Sequence, residues 1–308
     1  MNLRLTARLI TLIAICSLAL NACEQTATPP VETTGVDSGD VDTTAADSIN
    51  DTAAAVTAIA DHYYAVTLER KPEIAYFSGV ELPRHDGMED NSLQAIQALE
   101  REEDEMLRAL EAVDAAVLSG RGEWITHAYL LQELRSSVAQ RVCRYELWNV
   151  NQMGGWHSGY SQIAQLQPIG TSELRLQSTQ RWSLLSRYID QEIENLKYGL
   201  ELGYSAPKTV VQRVIDQVDG LLDMEIETSP FYSPATRDDD DEFALAMYAI
   251  VEEQIHPALK RYRDFLAGPY MESAREELSV TANPSGLECY EASLQGYTTL
   301  NRSGKDVY

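Results

Sequence analysis

The chain has few basic residues for its size. Its 308 residues include 24 lysines and arginines against 48 aspartates and glutamates, which gives a formal net charge of −24. A surface of this sign repels the phosphates of nucleic acids and of anionic lipids. The composition therefore excludes nucleic-acid binding, and it excludes an electrostatic attachment to an anionic membrane.

The sequence also lacks the short motifs of the common hydrolases. It contains no His-Glu-x-x-His, no Gly-x-Ser-x-Gly and no phosphate-binding glycine loop. Glu253 and His256 form the spacing of one Glu-x-x-His pair, but a carboxylate-bridged di-iron bundle requires two such pairs. From the residues alone we expect no catalytic residue and no metal ligand in this chain.

Long apolar runs are missing except at the start. The run Leu9–Leu20 follows Arg4 and Arg8 and is too short to span a bilayer, which is typical of a signal peptide. It ends in Leu20-Asn21-Ala22-Cys23, which resembles the bacterial lipobox, although Asn21 is not the favoured residue at its position. This resemblance implies cleavage after residue 22 and lipid attachment to the Cys23 sulfur. The alternative is an ordinary secretory signal followed by a chance cysteine.

The lipobox predicts a periplasmic location and a lipid anchor. Glu24 rather than Asp follows Cys23, which favours the outer membrane by analogy with the sorting rule of enteric bacteria. The next residues are acidic and rich in Thr, Ala, Ser and Pro, with few large apolar side chains to form a core. We therefore predict a signal peptide at 1–22, a lipidated cysteine with a disordered tether at 23–51, and a folded domain at 52–308.

Cysteines are few. Cys16 leaves with the signal and Cys23 is the predicted lipid site, so Cys143 and Cys289 remain. In an oxidising compartment this pair is a possible disulfide, and two separate buried thiols are the alternative. Neither cysteine has a second Cys or His at the spacing of a zinc site.

The folded domain reads as a mostly α, multi-helix array. Apolar residues recur at helical spacing after Ser92, from Ser172 to Gly203, and from the acidic run 238–241 to about Tyr270. Ser205 has the chemistry of an N-cap for a further helix with Pro207 in its first turn. Alternation typical of strands is scarce.

One stretch, from Trp148 to Ile169, is predicted to be non-helical. It contains closely spaced glycines among aromatic side chains, and glycine allows a ligand to approach the backbone. A tight surface loop without a ligand is the alternative. The candidate cleft residues in it are Gly154, Gly155, Trp156, His157 and Tyr160.

Several segments resemble, in the same order, the bacterial "domain of unknown function 885" family. They begin with Glu146-Leu147-Trp148-Asn149-Val150-Asn151-Gln152-Met153-Gly154-Gly155 and continue with Leu196-Lys197-Tyr198-Gly199-Leu200-Glu201-Leu202-Gly203-Tyr204-Ser205-Ala206-Pro207. Ser229-Pro230-Phe231-Tyr232, Tyr262-Arg263-Asp264-Phe265-Leu266 and Cys289-Tyr290-Glu291-Ala292-Ser293-Leu294 to Leu300 come next. The resemblance implies a helical, zinc-metallopeptidase-like protein whose metal ligands lie in its second half. No position here matches those ligands, so zinc is implied only for the full-length family.

The C-terminal residues predict a helix that starts close to the last residue. Ser303 has the chemistry of an N-cap, and Val307 and Tyr308 would be the first apolar residues of the helix. We therefore expect a missing C-terminal half, and we interpret the chain as the catalytically incomplete first part of a peptidase-like lipoprotein. The alternative is a complete, non-enzymatic helical periplasmic lipoprotein that binds a peptide or protein partner.

Overall fold

The structure is a computed structural model that describes residues 43–300 and 302–307. The predicted signal peptide, Cys23 and most of the predicted tether lie outside these residues. The described part is built from helices and contains no strand, apart from an isolated bridge between Pro207 and Arg275. The predicted mostly α, multi-helix array is confirmed. None of the described helices is long and apolar enough to cross a bilayer.

The α-helices follow one another with short connections. They are α1 Thr43–Arg70, α2 Ile74–Ser78, α3 Leu93–Glu111, α4 Gly122–Gln140, α5 Trp156–Leu166, α6 Ser172–Ser183, α7 Leu185–Glu201, α8 Lys208–Leu222, α9 Ser233–Thr236, α10 Asp241–Ile250, α11 His256–Phe265, α12 Met271–Ser273, α13 Gly286–Thr298 and α14 Gly304–Val307. Short 3₁₀ turns lie at Ala115–Leu118, Arg141–Cys143, Tyr145–Leu147, Ile226–Thr228, Pro230–Tyr232 and Val280–Ala282.

The first helix begins earlier than predicted. Residues 43–51, which fall within the predicted tether, form the start of α1. Their composition is poor in large apolar residues, but Ile49 and Ala53 lie on one face and pack near Leu118. These apolar residues can pack because they share one helix face, and the average composition of the segment does not reveal this arrangement.

Helix starts were predicted well where a side chain caps the backbone. The Ser92 hydroxyl accepts a hydrogen bond from the Ala95 N–H at 3.2 Å, and the Asp240 carboxylate accepts one from the Phe243 N–H at 2.9 Å. The prediction for Ser205 is wrong, because α8 begins only after Pro207. The Ser205 N–H instead donates to Asn283 Oδ1 at 3.1 Å.

The long helix predicted from the 238–241 run extends from Asp241 to Ser273, with two π-helical turns at Val251–Ile255 and Leu266–Tyr270 and a kink at Gly268 in the second. A proline follows the first turn, as Pro257, and another lies within the second, as Pro269. Proline has no N–H to donate to the preceding turn, so the backbone widens at both places. The helix predicted from Ser172 to Gly203 is likewise divided, at Leu184, and ends at Gly203 with a φ of +84° as expected.

The main core lies where α5, α7, α8, α10 and α11 meet. Fully buried aliphatic and aromatic side chains fill it, including Leu185, Ile189, Leu196, Val211, Val214, Val218, Met247, Ile255, Leu259 and Tyr262. A smaller cluster of Met106, Leu110, Leu130 and Leu134 joins α3 to α4. Within each helix these residues recur at helical spacing.

Two contacts hold the segment between α4 and α5 against the rest of the fold. A disulfide joins Cys143 to Cys289 of α13 and closes a loop of 146 residues. Chain-entropy estimates value such a cross-link at about 4–5 kcal/mol. Four residues further on, the Leu147 carbonyl rests directly against Gly199 of α7, where a Cβ atom would overlap the carbonyl oxygen.

Replacement of this glycine tests the contact. We expect Gly199→Ala to lower the free energy of unfolding by at least about 1–3 kcal/mol, because the added methyl group collides with backbone that cannot rotate away. The matched control is Gly220→Ala, at the corresponding place near the end of α8, where an added Cβ meets nothing within 4 Å. It should stabilise the protein by about 0.5–1 kcal/mol. Urea unfolding measures both, and equal effects of the two changes would contradict the packing described here.

Candidate functional site

The predicted cleft loop is mostly a helix. Gly154 and Gly155 lie before α5, whereas Trp156, His157 and Tyr160 lie within it, so the non-helical prediction for Trp148–Ile169 is wrong for residues 156–166. Gly155 serves a tight turn, since a Cβ there would overlap the Asn151 carbonyl. Gly155 is needed here because it lacks a Cβ atom, whereas its φ of −67° is one that any residue can adopt.

The aromatic side chains of this segment point into the core. The Trp156 ring packs edge-on against the rings of Tyr262 and Tyr188, with centroids 5.1 and 6.1 Å away. The His157 Nε2 atom lies 3.0 Å from the Gln217 amide oxygen, and burial lowers the pKa of His157. Its imidazole is therefore neutral at pH 7 and donates through Nε2. Trp156 and His157 thus contribute packing and do not line an open surface.

Tyr160 leads from the core to a polar region. Its hydroxyl donates to Glu73 Oε1 at 3.2 Å, and the same carboxylate oxygen accepts the Glu89 N–H at 3.0 Å. Burial and the Glu73 charge raise the pKa of Tyr160, so the phenol keeps its proton. Of the predicted site residues, Tyr160 is the one that contacts a group of ionisable side chains.

Beside this contact is a cavity of about 360 Å³, which we call the polar cavity. The end of α1, helix α3 and three further segments line it, and those three supply the polar groups described next. Helix α7 contributes Tyr188, Glu192 and Asn195, the segment before α3 contributes Glu89 and Asn91, and the segment before α5 contributes Asn149. The polar cavity therefore depends on contacts between residues that are far apart in sequence.

Glu192 is the central ionisable group of the polar cavity. It is only 2% exposed. Its Oε2 atom accepts from the Asn91 amide at 3.1 Å and its Oε1 atom from the Asn149 amide at 2.7 Å. Burial raises the pKa of Glu192 to about 7, despite these two bonds, which favour the ionised form. The carboxyl group can therefore gain or lose a proton near neutral pH.

The amide side chains around Glu192 are themselves held in place. Asn91 Nδ2 also donates to the Tyr188 carbonyl at 3.1 Å, and the Asn91 carbonyl accepts from Asn195 Nδ2 at 2.7 Å. Glu89 lines the same cavity, and desolvation raises its pKa, while Lys71 at 3.7 Å acts in the opposite direction. The cavity thus presents two carboxyl groups with raised pKa values and fixed amide donors. This arrangement suits proton exchange or the binding of a polar, hydrogen-bonding group.

A second polar feature lies under the segment that follows α2. Arg181 is fully buried, and its guanidinium lies over the Tyr76 ring at 5.0 Å. Tyr76 in turn bonds His85 Nδ1 through its hydroxyl at 2.7 Å. Burial and the Arg181 charge lower the pKa of His85, so its imidazole is neutral at pH 7. The cation–π contact with the Tyr76 ring favours this buried charge.

The fit of the described residues to zinc can be tested directly. A zinc site in a hydrolase needs three protein ligands and an open position. Within residues 43–300 and 302–307, no three His, Cys, Asp or Glu side chains lie together in a way that could hold a metal ion. We therefore derive no metal-dependent step from these residues.

Sequence reasoning missed Glu192, Asn91 and Asn149. A signal for Glu192 was present: it lies in the apolar register of α7, between Ile189 and Leu196, where a carboxylate is out of place. Asn149 lies inside one of the motifs that carry the family resemblance. No local pattern connects Asn91 to either of them, because the three meet only through the tertiary fold.

Comparison with known proteins first defines the class of fold. The chain resembles the crystal structure of a presumed lipoprotein from Colwellia psychrerythraea with a TM-score of 0.69 at 16% sequence identity. The match covers 82% of this chain and 48% of that one, so the chain spans about half the length of this structural relative. The two proteins share a helical fold.

The family follows from the sequence itself. The model of the bacterial proteins of unknown function DUF885 matches residues 72–308, and the chain belongs to this family. The resemblance seen in the sequence motifs is thereby confirmed. No curated protein matches the chain significantly.

The pKa of Glu192 predicts a measurable pH dependence. Below about pH 4.5 the carboxyl is protonated in both the folded and unfolded states, whereas between pH 4.5 and 7 only the unfolded state releases the proton. The wild-type protein should therefore lose stability over this range relative to Glu192→Gln. The difference between the two should change by on the order of 3 kcal/mol and level off above pH 7.

The control for this experiment is Glu194→Gln, on the exposed side of the same helix. Its stability relative to the wild type should stay nearly constant with pH. Urea unfolding of the three proteins between pH 4 and 8 provides the data. A Glu192→Gln difference that is flat with pH would contradict the burial of an ionisable Glu192.

Proposed function

We propose that this chain is the N-terminal, helical part of an exported lipoprotein whose full-length form is zinc-metallopeptidase-like. We propose also that the chain does not hydrolyse peptides by itself. The observation that supports the proposal is a difference in length. This chain belongs to the family, and its match covers only 48% of a structural relative that shares its fold. The export and lipidation parts rest on the Leu20–Cys23 motif, which lies outside the described residues. The metallopeptidase part rests on the family resemblance.

Within this proposal the polar cavity is the surface that contacts a peptide. Its paired carboxyl groups, Glu89 and Glu192, can accept hydrogen bonds from peptide N–H groups or attract an amine. The buried packing of Trp156 and His157 argues against the Gly154–Tyr160 segment as the contact surface. Tyr160 would act through Glu73, by holding the segment that carries Glu89.

The second candidate is a non-enzymatic helical lipoprotein that binds a peptide or protein partner in the periplasm. It is favoured by one observation, namely that fixed amide groups surround the Glu192 carboxyl group in the polar cavity and could position a hydrogen-bonding ligand. The DNA downstream of the codon for Tyr308 distinguishes the two candidates: the first requires a reading frame there that encodes His-Glu-x-x-His, and the second does not.

A biochemical test separates the chain from the whole protein. We expect the purified chain to contain no stoichiometric zinc and to show no chelator-sensitive peptide hydrolysis, because the family's metal ligands are absent from its sequence. Metal analysis by mass spectrometry and a fluorogenic peptide library provide the measurements. One bound zinc per chain together with hydrolysis that stops on addition of a chelator would overturn the proposal.

A further inference from the structure

The first turns of α4 carry an exposed apolar face. Trp124 is 48% exposed, Ile125 64% and Tyr129 70%, and the small Ala128 between them is also exposed. Residues four apart lie above one another on a helix, so Ile125 and Tyr129 are neighbours, as are Trp124 and Ala128. We call these four residues the α4 face. The opposite side of the helix is buried against α3, so the α4 face points away from the fold.

The α4 face lies at the same end of the molecule as the start of α1. Arg121, just before α4, donates to Asn50 in the second turn of α1 at 3.2 Å. Further along both helices, Tyr63 of α1 packs near Leu130 and Leu134 of α4. Helices α1 and α4 therefore run parallel, and their N-terminal ends lie side by side.

The N-terminal end of α1 is also the end nearest in sequence to the lipid. Cys23 precedes Thr43 by 20 residues. Whatever conformation these residues take, they span at most about 70 Å, since a fully extended chain advances by about 3.5 Å per residue. A lipid on Cys23 would therefore hold this end of the molecule within about 70 Å of a membrane, which permits the α4 face to reach it. The proposed lipidation is a premise of the membrane contact.

We propose that the α4 face docks on the phospholipid bilayer that holds the lipid anchor, and that Trp124, Ile125 and Tyr129 enter its interfacial layer. Tryptophan and tyrosine favour this layer because their rings are apolar at one end and polar at the other. The docked face is the second contact and orients the protein on the membrane.

The charges around the face favour uncharged, zwitterionic lipid. Arg121 is paired with Glu123 at 3.3 Å, and Arg135 is paired with Glu111 at 2.8 Å. No basic patch borders the face within the described residues, and the chain carries a net charge of −24. Docking is therefore driven by apolar contact, so on zwitterionic lipid it should be insensitive to salt, and anionic lipid should weaken it.

Fluorescence of the reconstituted lipoprotein tests the proposal. The full-length lipidated protein is placed in phosphatidylcholine vesicles that contain brominated chains, which quench tryptophan on contact. We expect about twofold quenching of the emission component that is lost in Trp124→Phe, since interfacial side chains enter about 5–10 Å below the headgroups. Replacing a third of the lipid by phosphatidylglycerol should reduce the quenching.

A matched probe at the other end of α4 controls for non-specific contact. Tyr297 is 88% exposed, and its neighbour Gly296 lies against Gln140, the last residue of α4. The 19 residues of α4 separate the two ends by about 28 Å. Tyr297→Trp, combined with Trp124→Phe, should not be quenched. Equal quenching of both probes, or of neither, would overturn the docking.

Three further outcomes distinguish a failed anchor from a failed docking. If the protein fails to float with vesicles and the Cys23→Ala variant behaves identically, the lipidation itself is wrong, and the docking inference falls with it. If the protein floats but Trp124 is unquenched, lipidation stands and only the docking is overturned. If acrylamide does not quench Trp124 in the Cys23→Ala protein without lipid, then protein and not lipid covers the α4 face. This result too would overturn the inference.

Discussion

The carboxyl group of Glu192 and the two amide groups that hold it are the interaction on which the polar cavity and the segments around it depend. Asn91 and Asn149 each donate to one of its two oxygens, and they lie 101 and 43 residues before Glu192 in the sequence. Hydrogen bonds to a charged group contribute about 1.5–3 kcal/mol each, whereas a buried carboxylate that lacks them is strongly unfavourable. The segments before α3 and α5 are thus fixed to α7 by the Glu192 carboxyl group, whose burial without hydrogen bonds would be strongly unfavourable.

Two neighbouring contacts stabilise this arrangement. The disulfide at Cys143 fixes the start of the segment between α4 and α5, and the close approach of Leu147 to Gly199 fixes its middle. Asn149 then reaches Glu192 with little remaining freedom. The order of these contacts along a few residues explains how a polar cavity can persist beside a large apolar core.

The sequence predicted the elements of this fold better than its site. Periodicity and caps such as Ser92 and Asp240 are local signals, so the helices they mark could be recognised. The prediction of Ser205 as an N-cap was wrong because the Ser205 backbone N–H donates to Asn283, a residue distant in the sequence. The non-helical prediction was wrong after Gly155 because this glycine belongs to a turn that leads into a helix. The polar cavity could not be assembled in advance, because it joins residues whose proximity only the tertiary fold creates. One local clue, a glutamate within the apolar register of α7, did point to it.

The most direct test of this account is the titration of Glu192 itself. Carbon-detected NMR of the side-chain carboxyl, assigned by comparison with Glu192→Gln, measures its pKa in the folded protein. The structure predicts a value of about 7, because burial outweighs the two amide hydrogen bonds. A pKa close to the ordinary glutamate value of about 4.5 would show that the carboxyl is solvated, and would contradict the buried cluster on which the polar cavity depends.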